Sequence, residues 1–370
     1  MRLPFLLIAL LLTAGPACAN ADSAMPAGPV EWTIEPSDRA DRVDFQITRR
    51  TATSRWSIGR PVPVDTLQGI DRARLDGDGG PVAFTIARDA GRLNCEGVVR
   101  RRRGTGECGF TPDPGFAAEL QRRGIGTPTT DEQFSMTVNE IGLAFVDELG
   151  RQRYDRPSAA ELADAGNHGV GFDYLRSMGG HGYRVGSLAA LINMRDHGVT
   201  PDFVADLARY GIQDLPADEV VRLRDHGVSA EFVGEMRELG YRGLPVDTLI
   251  RLRDHGVGSD YVRTLARHGI TSVPPEELVR LRDHGITPDF VGAVRDHGYT
   301  RFGTAEIISL RDHGVTGDYL RDLHALGYSG LSADEIVRLR THGVTGDFIR
   351  SANSGARRSV DELVRLRTGG

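Results

Sequence analysis

The chain of 370 residues contains no lysine, so all 45 basic side chains are arginine. Cysteine is rare, and no apolar run after the N-terminal segment approaches the ~18 residues of a membrane helix. The 51 acidic residues give a net charge of −6, which argues against nucleic-acid binding. The GxSxG, HExxH and phosphate-loop patterns are absent. These absences weigh against catalysis, and we expect no cofactor.

The first residues have the features of a secretory signal peptide. Arg2 supplies the positive charge, Phe5–Leu12 is apolar, and Ala17-Cys18-Ala19 has the small-x-small pattern that precedes cleavage. Cleavage after Ala21 and a lipoprotein anchor at the cysteine are the alternatives. We predict a signal peptide over residues 1–19, a flexible lead over 20–30, and a periplasmic or secreted protein with no later transmembrane segment.

Residues 31–111 predict a small β domain, either a sandwich or a short β-solenoid. Turn clusters separate runs that alternate between apolar and polar residues. The five predicted strands are Glu31–Ile34, Arg42–Thr48, Pro81–Ile86, Arg92–Val99 and Gly106–Phe110. Signal cleavage leaves Cys95 and Cys108, and an oxidising compartment favours a disulfide between them. Two buried thiols are the alternative.

Four consecutive arginines lie between the last two predicted strands: Arg100, Arg101, Arg102 and Arg103. The simpler interpretation is a solvated hairpin tip. The alternative is a contact surface for anionic lipid, glycan or phosphate.

The rest of the chain is a repeat with a period of 29 residues. A His-Gly pair recurs in one phase, usually as Arg-Asp-His-Gly, with its histidines at His168, His197, His226, His255, His284, His313 and His342. An aromatic residue follows each histidine by six positions, at Tyr174, Phe203, Phe232, Tyr261, Phe290, Tyr319 and Phe348. Two backward steps reach Phe145 and Phe116, so about nine repeats fill residues 112–370.

Each repeat predicts two short helices. Thr200 is an N-cap before Pro201, and Gly211 ends the first helix. Asp218 and Glu219 are acidic residues of the kind that stabilise the first turn of a helix, so we predict that the second helix begins there. His226 and the glycine after it end this helix. Such short helices bury their apolar faces only by stacking. The sequence therefore predicts an α+β protein, a small β domain followed by an αα-solenoid.

The repeated histidines have three possible roles. A histidine at a helix end faces the last carbonyls, and this structural role is the favoured one. A ladder of metal ligands and acid–base catalysis are the alternatives; neighbouring repeats lie about 9–10 Å apart, too far for a shared zinc site.

The arginines of the same motif form a second ladder. We predict ion pairs between repeats and bonds to carbonyls, with the neighbouring aspartates as partners. The alternative is a charged stripe that binds an extended anionic partner, and the ladder is therefore also a candidate binding site. Its members are Arg195, Arg224, Arg253, Arg282, Arg311 and Arg340.

The repeat, with units such as Asp-His-Gly-Val-Thr-Pro-Asp-Phe-Val and Leu-Ser-Ala-Asp-Glu-Ile, resembles the HGV-type helical repeats of uncharacterised bacterial exported proteins. It is also similar to segments attached to beta-lactam-sensing, antirepressor-type membrane metallopeptidases. The resemblance covers residues 105–370. It implies a periplasmic accessory protein that takes part in binding or sensing. No catalytic residue of the peptidases is carried over, because the HExxH motif is missing.

Together these patterns predict a non-catalytic interaction scaffold whose partner is a protein or peptide of the cell envelope. A metal-binding or enzymatic envelope protein, and a binder of anionic lipid or glycan, are the competing hypotheses.

Overall fold

The computed structural model describes residues 30–50 and 55–369. The predicted signal peptide and nearly all of the predicted lead lie outside these residues. The contacts divide the chain into two modules. The sheet module holds the described residues up to Asp147 and Arg156–Asn167; the repeat module holds Glu148–Asp155 and the chain from His168. The predicted α+β class, with a helical repeat region after a β domain, is confirmed.

The sheet module contains six antiparallel strands, one more than predicted. They are β1 (Val30–Pro36), β2 (Arg42–Arg50), β3 (Arg55–Pro63), β4 (Gly80–Arg88), β5 (Gly91–Arg100) and β6 (Arg103–Pro112). A short helix, α1 (Arg72–Asp76), precedes β4. The missed strand β3 contains two prolines, and it lies at the sheet edge, where a missing N–H breaks no ladder bond.

The strands form a single sheet in the order β3-β2-β1-β6-β5-β4, rather than a sandwich or a short solenoid. Phe45 on β2 and Phe84 on β4 lie four strand positions apart, about 19 Å in a flat sheet. Their ring centroids are 6.1 Å apart, and the ring of Trp32 contacts both. The sheet is therefore strongly rolled, and its concave face holds the apolar core.

The predicted disulfide is present between Cys95 and Cys108. The two residues lie opposite each other on β5 and β6, which form the expected hairpin. Glycine at 97 and 106 makes room for the buried indole, because a Cβ at either position would come within 2.7 Å of the Trp32 ring. The indole N–H donates to the carbonyl of Glu96 at 3.2 Å.

Eighteen helices follow the sheet in the described part of the chain, and they form nine pairs that are in register except for the last helix. They are α2 (Pro114–Arg122), α3 (Thr130–Asn139), α4 (Leu143–Arg151), α5 (Ala159–Asn167), α6 (Phe172–Gly180), α7 (Leu188–Asp196), α8 (Pro201–Arg209), α9 (Ala217–Asp225), α10 (Ala230–Glu238), α11 (Val246–Asp254), α12 (Ser259–Arg267), α13 (Pro275–Asp283), α14 (Pro288–Asp296), α15 (Thr304–Asp312), α16 (Gly317–Ala325), α17 (Ala333–Thr341), α18 (Gly346–Ala352) and α19 (Val360–Thr368).

Local signals in the sequence place the ends of these helices. The Thr200 hydroxyl accepts the N–H of Phe203 at 3.1 Å, with Pro201 as the first helical residue of α8. Gly211, with φ of 84°, follows the C-cap of that helix. The helix α9 begins at Ala217, as its acidic first turn indicates.

In the repeat module, equivalent helices of successive repeats stack on one another and form two rows. First helices pack on first helices of the next repeat (α6, α8, α10, α12, α14, α16, α18), and second helices do the same (α7, α9, α11, α13, α15, α17, α19). The predicted apolar positions are buried, as Phe203, Leu207, Val220 and Leu223 illustrate. No helix among the described residues is long and apolar enough to cross a membrane.

Candidate interaction surface

Each ladder arginine covers the aromatic ring of its own repeat. The guanidinium carbon of Arg253 lies 5.2 Å from the centroid of the Phe232 ring, within cation–π range. The other pairs have distances between 4.7 and 5.4 Å: Arg195–Tyr174, Arg224–Phe203, Arg282–Tyr261, Arg311–Phe290 and Arg340–Tyr319. Arg367 and Phe348 repeat the contact in the last repeat, at 5.3 Å. The arginine therefore joins the two helices of one repeat.

The same side chain also reaches the preceding repeat. Arg253 donates its Nε–H to the carbonyl of Gly227 at 3.1 Å, and Arg340 does the same to Gly314 at 2.9 Å. Both glycines have positive φ, which turns the chain after the second helix. The predicted bonds to carbonyls are thus present at these two positions. The ladder as a binding site stays a prediction.

The aspartates of the motif pair with histidine, whereas the sequence predicted arginine. In five repeats the histidine Nδ1 contacts the Asp Oδ1 one repeat further on, and because an ionised carboxylate only accepts, Nδ1 is the donor. The distances run from 2.6 to 2.8 Å in His168–Asp196, His197–Asp225, His226–Asp254, His255–Asp283 and His284–Asp312. The histidines occupy the predicted position at the helix end, but their side chains link adjacent repeats.

The row of Asp–His pairs, called the Asp–His ladder below, ends where the sequence of the motif changes. Thr341 replaces the aspartate, and His313 instead bonds the carbonyl of Ser309 in its own helix at 2.8 Å. This is the contact with a helix-end carbonyl that the sequence predicted for every histidine. His342 follows as the C-cap of α17.

In the Asp–His pairs, Nε2 is the second ring nitrogen and is free of the carboxylate contact. A carboxylate on Nδ1–H is the arrangement that often orients a metal-ligating histidine. No group of three or more His, Cys, Asp or Glu in the described part of the chain could hold a metal ion.

Sequence reasoning missed the hydroxyls of the repeated tyrosines. Tyr174, Tyr261 and Tyr319 each donate to a backbone carbonyl at the end of their own repeat, at 2.9, 3.0 and 2.9 Å. Burial raises the pKa of Tyr174 and of Tyr261 to about 12. The occurrence of Tyr as well as Phe at this position was the available signal, since a buried tyrosine needs a partner for its hydroxyl.

The four-arginine tip is a tight turn whose charges are largely paired. Arg101 and Arg102 have positive φ, of 48° and 61°. Arg101 pairs with Asp78 at 3.1 Å, Arg102 with Asp76, and Arg103 with Glu35. The Arg100 side chain packs on Gly79. This pairing lowers the positive charge available to an anionic surface, and the lipid or glycan contact stays a prediction.

An apolar groove of about 250 Å³ opens in the repeat module beside α8 and α10. Its lining includes Tyr210, Ile212, Leu215, Val233 and Pro245. Tyr210 is 37% exposed, while most large apolar residues of this module are buried. The equivalent residue is His or Leu in five other repeats, at His181, Leu239, His268, His297 and Leu326, so Tyr210 departs from the repeat pattern.

The chain resembles no protein-family model closely enough to match it, and a comparison with curated proteins finds no match either.

Proposed function

We propose that this chain is an exported, non-catalytic scaffold that binds a protein or peptide of the cell envelope on its repeat surface. The groove beside Tyr210 is the observation that carries the proposal. The repeated aromatic, arginine, histidine and aspartate side chains contact one another and hold the repeats together. The groove, in contrast, presents the exposed ring of Tyr210, an aromatic residue that the repeat pattern does not specify.

Two further observations support parts of this proposal. A Cys95–Cys108 disulfide fits an oxidising compartment, as expected for a periplasmic or secreted protein. The resemblance of the repeat to segments attached to membrane sensors supports a role as an accessory to envelope sensing.

The test is site-specific photo-crosslinking with the full chain in its native host. A photoreactive residue at Gln213, which lines the groove, is expected to capture one envelope protein. The matched control carries it at Asp218, an exposed position on α9 outside the groove lining. Tyr210→Asp should weaken the Gln213 product. Equal capture at both positions, or a product that Tyr210→Asp leaves unchanged, would contradict recognition by the groove.

The Asp–His ladder favours metal binding as a second candidate function. Five histidines have their Nδ1–H oriented by a carboxylate, which leaves Nε2 as a possible ligand. Zinc titration of the mature protein tests this directly. The absence of binding tighter than about micromolar would remove the metal hypothesis.

A further inference from the structure

The rolled sheet leaves an apolar cavity between its two edge strands. The inward rows of β3 and β4 face each other across it, with Ile58 and Val62 on one side and Ile86 on the other. Val138, near the end of α3, contributes to the lining. The cavity measures about 30 Å³, which is room for roughly two water-sized groups.

Charged side chains continue both inward rows. Arg60 alternates with Ile58 and Val62 along β3, and Arg88 follows Ile86 at the same spacing on β4. Successive residues of a strand point to opposite faces, so both guanidinium groups belong to the concave face that carries the core. Arginine on an apolar face needs an anionic partner, because desolvation penalises an unpaired charge.

A single carboxylate forms ion pairs with both arginines. Glu140, at the C-cap of α3, lies 3.0 Å from Arg88 and 3.8 Å from Arg60. The two arginine side chains are only 28% and 35% exposed. Burial lowers the pKa of Arg60, and the charge of Arg88 adds to this effect while Glu140 opposes it. Two positive charges against one negative charge leave the mouth of the cavity with a net positive charge.

We propose that this cavity binds a carboxylate joined to a short aliphatic group. The aliphatic part enters between Ile58, Ile86 and Val138, and the carboxylate accepts hydrogen bonds from Arg60 and Arg88. Two arginines suit a carboxylate because guanidinium groups bind it in a forked geometry. The small volume restricts the aliphatic part to a few carbons, the size of the isopropyl group of valine. A free short-chain acid and the C-terminal valine of a peptide both supply this chemistry.

The experiment uses the full mature chain with 13C-labelled isoleucine, leucine and valine methyl groups. The probes are isovalerate, a pentapeptide ending in a free valine carboxylate, and the same peptide with an amidated C-terminus. Saturable shifts of the Ile58 and Ile86 methyl signals are expected with isovalerate or the free-acid peptide, and none with the amide. Which of the two binds more tightly identifies the source of the carboxylate.

Three variants separate an anion site from a structural ion pair. Arg60→Gln should weaken binding about fivefold, the upper range for a partly exposed ion pair. Glu140→Gln should tighten binding by a similar factor, because it removes the competing negative charge. The matched control is Arg101→Gln, whose arginine lies on the tip and pairs with Asp78; its affinity should be unchanged. Arg88→Gln is the second test if the Arg60 variant loses its dispersed methyl spectrum.

The proposal is overturned if neither free carboxylate gives saturable shifts, or if the amidated peptide binds equally well. It is also overturned if Arg60→Gln behaves like Arg101→Gln, or if Glu140→Gln weakens binding. Because the cavity lies within the sheet module, these outcomes are independent of the crosslinking result at the groove of the repeat module.

Discussion

Replacing Arg253 with glutamine is expected to destabilise the repeat module by about 1–2 kcal/mol. The guanidinium lies 5.2 Å from the Phe232 ring centroid, and a cation–π contact at an exposed site contributes about 0.5–1 kcal/mol. Its Nε–H bond to Gly227 at 3.1 Å adds about 0.5–1.5 kcal/mol. The two contributions need not add in full, because both depend on one side-chain conformation.

The assay is urea denaturation of the full chain followed by circular dichroism, with hydrogen exchange of the α10 and α11 amides. Hydrogen exchange is needed because a repeat array can unfold in parts. Arg251→Gln is the matched control: it lies two residues earlier on the same helix, is exposed, and should change stability by less than about 0.5 kcal/mol.

A double-mutant cycle with Phe232→Leu isolates the ring contact, and a coupling of about 0.5–1 kcal/mol is expected. Equal losses for Arg253→Gln and Arg251→Gln would refute the structural role of the arginine ladder. That result would favour the alternative in which the ladder binds an anionic partner.

Three further changes test other parts of the fold. Burial raises the pKa of Tyr261 to about 12, so its contribution to stability should be complete below pH 10 and should decline, by about 2–3 kcal/mol, as the pH rises to about 12. In thermal melts Tyr261→Phe should remove this share of the decline and leave the share of the other buried tyrosines. A Tyr261 hydroxyl that ionises near pH 10 would contradict this prediction. Thr341→Asp should extend the Asp–His ladder to His313 and stabilise the chain by about 0.5 kcal/mol. An NMR signal of the His313 ring that is the same in the variant would disprove the new pair. Replacing Cys95 and Cys108 with serine, 13 residues apart, should cost about 3 kcal/mol in thermal denaturation of the sheet module, and a loss below about 1 kcal/mol would show that the hairpin is stable without the bond.

The helices were predictable because their signals are local. Thr200 caps the residue three positions later, and Gly211 adopts the positive φ that ends a helix, so neither signal depends on the rest of the molecule. The disulfide was predictable for a similar reason, since both cysteines belong to one hairpin. The strand β3 was missed because its two prolines argue against a strand, and only its edge position in the sheet permits them.

The partners of the repeated polar side chains were harder to predict. His226 and Asp254 are 28 residues apart, and they meet because two successive repeats stack in register. The period indicated that equivalent residues would form rows, but not which row would contact which. The sequence therefore suggested arginine as the partner of aspartate, while the stacked helices place histidine there.

The sequence by itself determined the period, the helix ends, the buried positions and the disulfide, because each depends on neighbours along the chain or on a strict repeat. Only the tertiary structure decided the roll of the sheet and the exposed groove beside Tyr210. Arg60 and Arg88 lie on opposite edge strands, and they share Glu140 because the sheet curves back on itself. That curvature arises from the packing of Trp32, Phe45 and Phe84 across distant strands, a non-local contact that no pattern along the chain records.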